Sequence, residues 1–395
     1  MKKHIILFFD STLPTGTAGA TRVISFAHIF SGAGFVVKLL GVNYNNANFL
    51  YGEYEGEKYE LLDFPEIGCT GFSSWKRIAA LKQRLEEWLD EYSSHNSVCC
   101  IMYTCRNGFA RFFTKYSKKT GIPIVFNHVE WHLRSMFPGK MGLFSFLQNR
   151  MELIFYIKQN RNIIAISSFL ENYYKKRGCN TLRIPTILDT SIYSTGEPEH
   201  SKGLILVYAG KPGKKDAIYN IIESMALLSS TERQQIEFRI FGVTKNEIVK
   251  GKVLSSKALK LIGNSVLCYG RIPYEQVQSE IVKADFTVLL REKTRNAEAG
   301  FPTKVGESMA AGVPVIANLT SDIGLYLHDG IEGLVCADAT PQECARVLKK
   351  ALSLTLREKK KMRAKARQCA EKNFDYRNYI KVLSDYLLTV EENRR

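Results

Sequence analysis

Short apolar runs rich in Ile, Val, Leu and Phe recur along the chain, and between them apolar residues return at helical spacing. Residues 4–9, 35–42, 97–104, 123–129 and 163–167 predict strands of a first half; 204–209, 236–241, 266–269, 286–290, 313–317 and 333–336 predict those of a second. Helical stretches such as 23–30, 273–284 and 341–352 lie between them, and a helical region covers about 357–392. Strands alternating with helices are the pattern of βαβ units and a parallel sheet. At 395 residues the chain exceeds what one core organises, so it divides. The polar, Gly- and Pro-containing stretch 194–203 reads as the linker between two Rossmann-like domains of similar size. No internal repeat or low-complexity tract interrupts this reading.

Composition narrows the class. Hydrophobic residues at 45% and charged residues at 24% are the balance of a soluble globular protein, which excludes a disordered, collagenous or disulfide-scaffold chain. The nine cysteines are scattered without CxxC or metal-ligand spacing, as expected for a reduced, cytosolic compartment. The apolar run that follows Lys3 is broken by Asp10, far short of a secretion signal or a spanning helix. A formal charge of +16 asks for an anionic partner. From 101 to 190 there are fourteen Lys or Arg against four Asp or Glu, and 137–158 is rich in Phe, Leu and Met with cations at its flanks. That stretch reads either as an amphipathic helix lying on an anionic bilayer or as a domain helix with one buried face. A nucleic-acid partner is disfavoured, because no helix-turn-helix, zinc-finger spacing or RNP-like string accompanies the basic residues.

Four segments carry candidate chemistry. The first runs from Ala299 through Gly300, Phe301, Pro302, Thr303, Lys304 and Glu307 to Asn318, between two predicted strands. Pro302 suits a helix entry and Thr303 can cap it, and unpaired N–H groups at such an end attract phosphate. Glu307, one turn in, is placed to accept hydrogen bonds from ribose hydroxyls. The second is Tyr208-Ala-Gly-Lys-Pro-Gly-Lys-Lys-Asp216, where Lys211 and either Lys214 or Lys215 can neutralise a diphosphate. The third is the loop 12–22, whose glycines do not fit the GxGxxG of a nicotinamide-binding fold. The fourth is Asn127-His-Val-Glu-Trp-His132 at a strand's carboxyl end, where ligands of open α/β sheets bind. His128 and His132 are four apart, but a strand and loop do not present them as a helix presents a metal pair and no further ligand cluster accompanies them, so no metal site is expected.

These segments resemble those of the group 1, or family-four, retaining glycosyltransferases, which have the GT-B fold of two Rossmann-like domains facing a crevice. The resemblance covers the N-terminal loop, 165–170, 184–189, Ala284-Asp285 and the segment that holds Glu307. It implies an acceptor-binding domain over 1–193, a nucleotide-sugar-binding domain over 204–374, and a C-terminal helix over 375–395 packing back on the first domain. In that family two glutamates eight positions apart flank the signature. Glu307 matches the second, but Ala299 stands at the first and Glu298 is one place out of register. Gly19 matches a glycine of the donor loop, Arg22 the arginine that opens the next helix, and Lys211 the position of a usual arginine. His128 or Glu130 is the group implied to face the donor sugar or orient the acceptor. The expectation is therefore a retaining, metal-independent glycosyltransferase, with Glu130, His128, Lys211 and Lys215 catalytic, and with Gly19, Lys214, Gly300, Phe301, Pro302, Thr303, Lys304 and Glu307 binding the donor. It needs no cofactor; a UDP-sugar is the foremost donor, and a glycan or lipid-linked glycan is the acceptor, as in cell-surface polysaccharide or glycolipid synthesis. An anionic membrane surface is a further partner, at the inner face of the cell membrane. Two competing readings are a catalytically silent GT-B relative acting as a partner or scaffold, and a nucleotide-sugar epimerase.

Overall fold

Two parallel sheets, each wrapped by helices, organise the chain in the computed structural model. It describes residues 3–392 apart from 15–16, 45–49, 65–71, 93–96, 104–107, 138, 200–202, 214 and 252. Residues 1–188 and 376–395 form one unit and 189–375 the other.

In the first unit the described strands are β1 (His4–Phe8), β2 (Val36–Asn43), β3 (Tyr51–Tyr54), β4 (Glu57–Asp63), β5 (Ser97–Met102), β6 (Ile124–His128), β7 (Asn162–Ala165) and β8 (Asn180–Arg183). Their order is β3-β4-β2-β1-β5-β6-β7-β8, parallel except for the β3–β4 hairpin. Helices α1 (Ala18–Gly32), α2 (Phe72–Tyr92), α3 (Phe109–Thr120), α4 (Gly139–Gln159) and α5 (Ser168–Lys175) make the connections. Central strands such as Ile5–Phe8 and Ile163–Ala165 are buried on both faces, which is why they read as unbroken apolar runs. Thr17 caps α1, its side chain accepting from the Ala20 N–H, and the helix buries Val23, Ile24, Phe26, Ala27 and Phe30. The sequence reading missed β3, β4 and β8. β3 and β8 are the edges of the sheet and β4 is the strand next to β3, and polar residues interrupt each of them, so no apolar run marks them. The hairpin turns through Glu55 and Gly56, both at positive φ (50° and 82°), as a two-residue turn matched to strand twist requires.

The second unit orders β9 (Leu204–Ala209), β10 (Ile236–Phe241), β11 (Val266–Gly270), β12 (Phe286–Leu289), β13 (Val315–Asn318) and β14 (Gly333–Cys336) as β11-β10-β9-β12-β13-β14, all parallel. The helices are α6 (Ile218–Leu227), α7 (Ser230–Gln234), α8 (Lys245–Gly251), α9 (Ser256–Leu261), α10 (Tyr274–Val282), α11 (Arg295–Ala299), α12 (Thr303–Ala310), α13 (Pro341–Ser353) and α14 (Leu356–Asn373). The chain leaves the first unit ahead of the polar stretch expected to link the halves. Gly196 and Glu199 are tied into the second unit, the first accepting from Arg363 at 2.7 Å and the second donating its N–H to Lys283 O at 3.0 Å.

The expected C-terminal helical region is broken after Asn373. Phe374 turns its ring into the core against Phe301 and Tyr326, and α15 (Ile380–Glu392) follows as part of the first unit. There Leu383, Leu387 and Val390 join the core that includes Phe26 and Phe30, and the Tyr386 hydroxyl donates to Ile163 O and Asn180 O, each at 3.1 Å.

Candidate functional site

In the second sheet the chain runs outward from β9 through β10 to β11 and then returns to the other side of β9 as β12. The carboxyl ends of β9 and β12 are therefore its topological switch point, the place where an open α/β sheet binds ligands. Asp216 and Arg291 lie just beyond those two ends, paired by an antiparallel bridge. The Asp216 carboxylate, with a side chain 4% exposed, accepts from Arg291 Nε and Lys304 Nζ, each at 2.7 Å, and from the Tyr208 hydroxyl at 2.8 Å. The Lys304 ammonium also lies 4.1 Å from the centre of the Tyr208 ring. Burial alone would raise the Asp216 carboxyl, but Arg291, Lys304 and the hydrogen bonds from Lys304 and Tyr208 outweigh it and hold it below the ordinary 3.8. Burial lowers the Lys304 ammonium from its ordinary 10.5, with Asp216 opposing. Two cations share one carboxylate, so the cluster keeps one surplus positive charge.

The backbone around this cluster is shaped for it. Gly210 has φ of 119°, and a Cβ there would sit 2.9 Å from Lys304 Cε. A Cβ there would make that side chain shift on its way to Asp216, and the positive φ itself favours glycine. Asn318, at the end of β13, clamps the Arg291 backbone with two hydrogen bonds of 2.8 Å. Ser308 of α12 donates to Val313 O at 2.9 Å and shares a 2.6 Å hydrogen bond with Thr287 of β12, which fastens α12 to the sheet.

Helix α12 begins at Thr303 with Pro302 in the cap position and no side-chain cap, one residue earlier than a Thr303 cap requires. Pro302 has no polar side chain, so the first-turn N–H groups keep their capacity for an anion. Gly300 ends α11. The ring of Phe301 is buried, edge-on to Tyr326 at 5.6 Å, so its backbone is the part of it that a ligand at this end could meet. Glu307 is half-buried, and burial raises its carboxyl above the ordinary 4.5, with Lys304 opposing. Lys211 is exposed, Lys215 is half-buried, and Lys214 lies outside the described residues. Ala299 is fully buried, whereas Glu298 keeps one buried carboxylate oxygen with no hydrogen-bond partner.

Sequence reasoning assigned no role to Asp216, Arg291, Tyr208 or Glu298. The local signal for Asp216 was present, an acid ending a lysine-rich loop. Arg291 had none, because its neighbour is 75 positions away.

The residues singled out in the first unit lie at the ends of β6 and α1. His128 ends β6, packed against Phe126 and Tyr174, with Nδ1 at 2.7 Å from the Tyr174 hydroxyl. Burial, and after it His132, lowers its pKa to about 3, so the imidazole is neutral at physiological pH. Glu130 is half-buried, with an oxygen 3.9 Å from His132 Nε2. Gly19 lies in the first turn of α1, where a Cβ would meet the Phe9 ring at 2.9 Å; this packing accounts for the glycine without a ligand. Arg22 is buried and structural. Its guanidinium donates to Asn127 Oδ1, Ile184 O and Pro185 O, and burial, opposed by Tyr103 and Tyr379, lowers its pKa to about 10.

Residues 192–371, nearly the whole second unit, match the family described as glycosyl transferases group 1. Comparison with curated proteins gives no match. Among solved structures, the chain is similar to a sucrose-phosphate synthase from Thermosynechococcus elongatus, with a TM-score of 0.75 and 11% identity over 99% of this chain and 100% of that one. It is also similar to HepE of Anabaena in complex with UDP and glucose, with a TM-score of 0.69 and 16% identity over 98% and 100%. A third is WaaG, a glycosyltransferase involved in lipopolysaccharide biosynthesis, with a TM-score of 0.64 and 15% identity over 97% and 99%. The signature around α12, the matched span and the two doubly wound sheets agree: the chain has the GT-B fold, and its second unit matches the group 1 glycosyl transferases.

Proposed function

We propose that this protein is a retaining, metal-independent glycosyltransferase that moves a sugar from a nucleoside diphosphate to a hydroxyl acceptor. The observation that carries the reading is the Asp216 cluster at the β9–β12 switch point. A buried carboxylate there holds Arg291 and Lys304 with one positive charge to spare, beside the N-terminus of α12. A diphosphate is the ligand such a surplus suits, and preorganised cations stabilise it as a leaving group without reorganising. HepE has been solved with UDP-glucose, which supports a UDP-sugar as donor.

In this reading Lys211 and Lys215 meet the departing charge together with Lys304, while Glu307 accepts from the ribose hydroxyls. The bond from the anomeric carbon to the phosphate oxygen breaks as the acceptor oxygen bonds to the same face. The acceptor proton passes to the departing diphosphate. Neutral His128 can orient a hydroxyl but brings no charge, so Glu130 is the group in the first unit that balances positive charge developing on the sugar. With Ala299 in place of an acid, the unpartnered oxygen of Glu298 is the candidate acceptor for a donor-sugar hydroxyl. The acceptor is a glycan or lipid-linked glycan of cell-surface polysaccharide or glycolipid synthesis.

The test is incubation with UDP-, GDP-, ADP- and dTDP-sugars and glycan acceptors, with the anomeric configuration of the product read by NMR. Transfer with retention, insensitive to chelator, is expected. Inversion would overturn the stereochemical reading, and nucleotide binding without transfer from any donor would favour the silent relative, which the buried Ala299 already suggests.

A further inference from the structure

A helix on a domain surface ordinarily turns its polar side outward. Helix α4 is apolar on its outward side as well as its inward one. Its inward side carries Glu152, Leu153, Tyr156 and Ile157, all buried, whereas Leu143, Phe144, Leu147, Met151 and Ile154 are 41–67% exposed. At 3.6 residues per turn these five fall within an arc of about 100°, centred opposite the buried side, and the stripe runs about 16 Å along the axis. Exposed Lys140 and Lys158 lie on the same meridian, one beyond each end of the stripe.

The flank of the stripe is basic as well. Helix α3 packs along the edge of α4 that carries Glu152 and Gln159, with Arg111 bonded to the first and Lys118 to the second. Together with exposed Lys115 this places three cations beside the apolar face, while Lys119 turns to Glu86 and Asp90 of α2. The outward arc of α4 holds no acid.

We infer that the outward face of α4 is a docking surface for an anionic lipid bilayer. Apolar side chains on the outermost meridian, with lysines at both ends and a basic neighbour, are the arrangement of a helix lying in the headgroup boundary. Charge argues against a second copy as the occupant: a parallel pairing of two such stripes brings Lys140 onto Lys140, and an antiparallel one brings Lys140 onto Lys158. No described helix is long and apolar enough to cross a membrane, so α4 lies on the bilayer and does not span it. The inference does not depend on the transferase reading, and its test uses no sugar nucleotide.

The full chain is floated with vesicles of mixed phosphatidylcholine and phosphatidylglycerol, and in parallel with phosphatidylcholine alone. It should rise with the mixed vesicles, lose binding as salt increases, and bind the neutral vesicles far less. Leu147→Glu/Met151→Glu changes only exposed positions; it should melt with the wild type and stay unbound. Lys140→Ala and Lys158→Ala should each weaken partition about fivefold, near 1 kcal/mol per cation. Absence of flotation with the mixed vesicles, or unchanged flotation of the Leu147→Glu/Met151→Glu protein, would overturn the inference. So would a wild-type dimer that this double variant dissociates, since the stripe would then belong to a second copy.

Discussion

Replacing Asp216 by asparagine keeps the shape of the side chain and removes the charge that holds Arg291 and Lys304. Both cations are within 2.7 Å of a carboxylate whose side chain is 4% exposed, so neither contact is screened as a surface pair would be. Removing one partner of a buried ion pair costs about 3–5 kcal/mol, because the remaining charge is left uncompensated. Asparagine can still accept from Tyr208 or Lys304, which places this variant near the lower end, about 3 kcal/mol. For a unit of this size that is a fall of roughly 6–12 °C in the melting transition. The difference has a definite pH dependence. The folded pKa of Asp216 lies below the ordinary 3.8, so the carboxylate stabilises fully above the unfolded value and loses that contribution as pH falls through the folded one. The wild type and Asp216→Asn should therefore converge in acid and diverge toward neutrality. Calorimetric melting across that range is the assay, with nucleoside diphosphate titrated into both proteins. Weaker binding is expected, with an added loss as pH rises, because burial without the Asp216 charge lowers Lys304 further. Equal melting at neutral pH together with equal nucleotide affinity would refute the role given to this cluster.

Other substitutions probe the same region. Gly210→Ala brings a Cβ to 2.9 Å from Lys304 Cε at a φ of 119°; a loss of about 1–3 kcal/mol with weakened nucleotide binding is expected, and a silent variant would show that Lys304 does not need this path. Glu307→Gln should weaken nucleotide binding. In the wild type, affinity should fall with acidification at a pH above that of an ordinary carboxylate, since burial raises Glu307, and in the variant that step should vanish from calorimetric titrations. Glu298→Gln should lower kcat/KM for the nucleotide sugar while leaving the affinity for free UDP unchanged; parallel loss of both would place Glu298 at the nucleotide instead.

Much of the fold was legible in the sequence because a strand buried on both faces must be apolar throughout. The runs at 204–209 and 333–336 coincide with β9 and β14 for that reason, whereas 236–241 forms β10 although Glu237 and Arg239 interrupt it. Strands β3, β4 and β8, at or next to the edges of the sheet, escaped detection because polar residues interrupt each of them. The helix around 137–158 was legible too, but its orientation was not, since periodicity shows that a helix has two faces without showing which one the domain covers. Packing of α3 and of the sheet against Glu152, Leu153, Tyr156 and Ile157 settled it, and left the Phe144–Met151 side outward.

The candidate site divides in the same way. Local chemistry marked Lys211, Thr303, Lys304 and Glu307, because a strand-to-helix turn with glycine, cations and an open helix end is written in consecutive residues. The partnership of Lys304 with Asp216 and Arg291 joins positions 88 and 75 residues apart, and His128 meets Tyr174 across 46. Sequence by itself determined which residue types and elements were on hand. Only the tertiary structure decided which charges neutralise one another and which imidazole is kept neutral, because Coulomb and desolvation energies depend on distance and burial in space and not on separation along the chain.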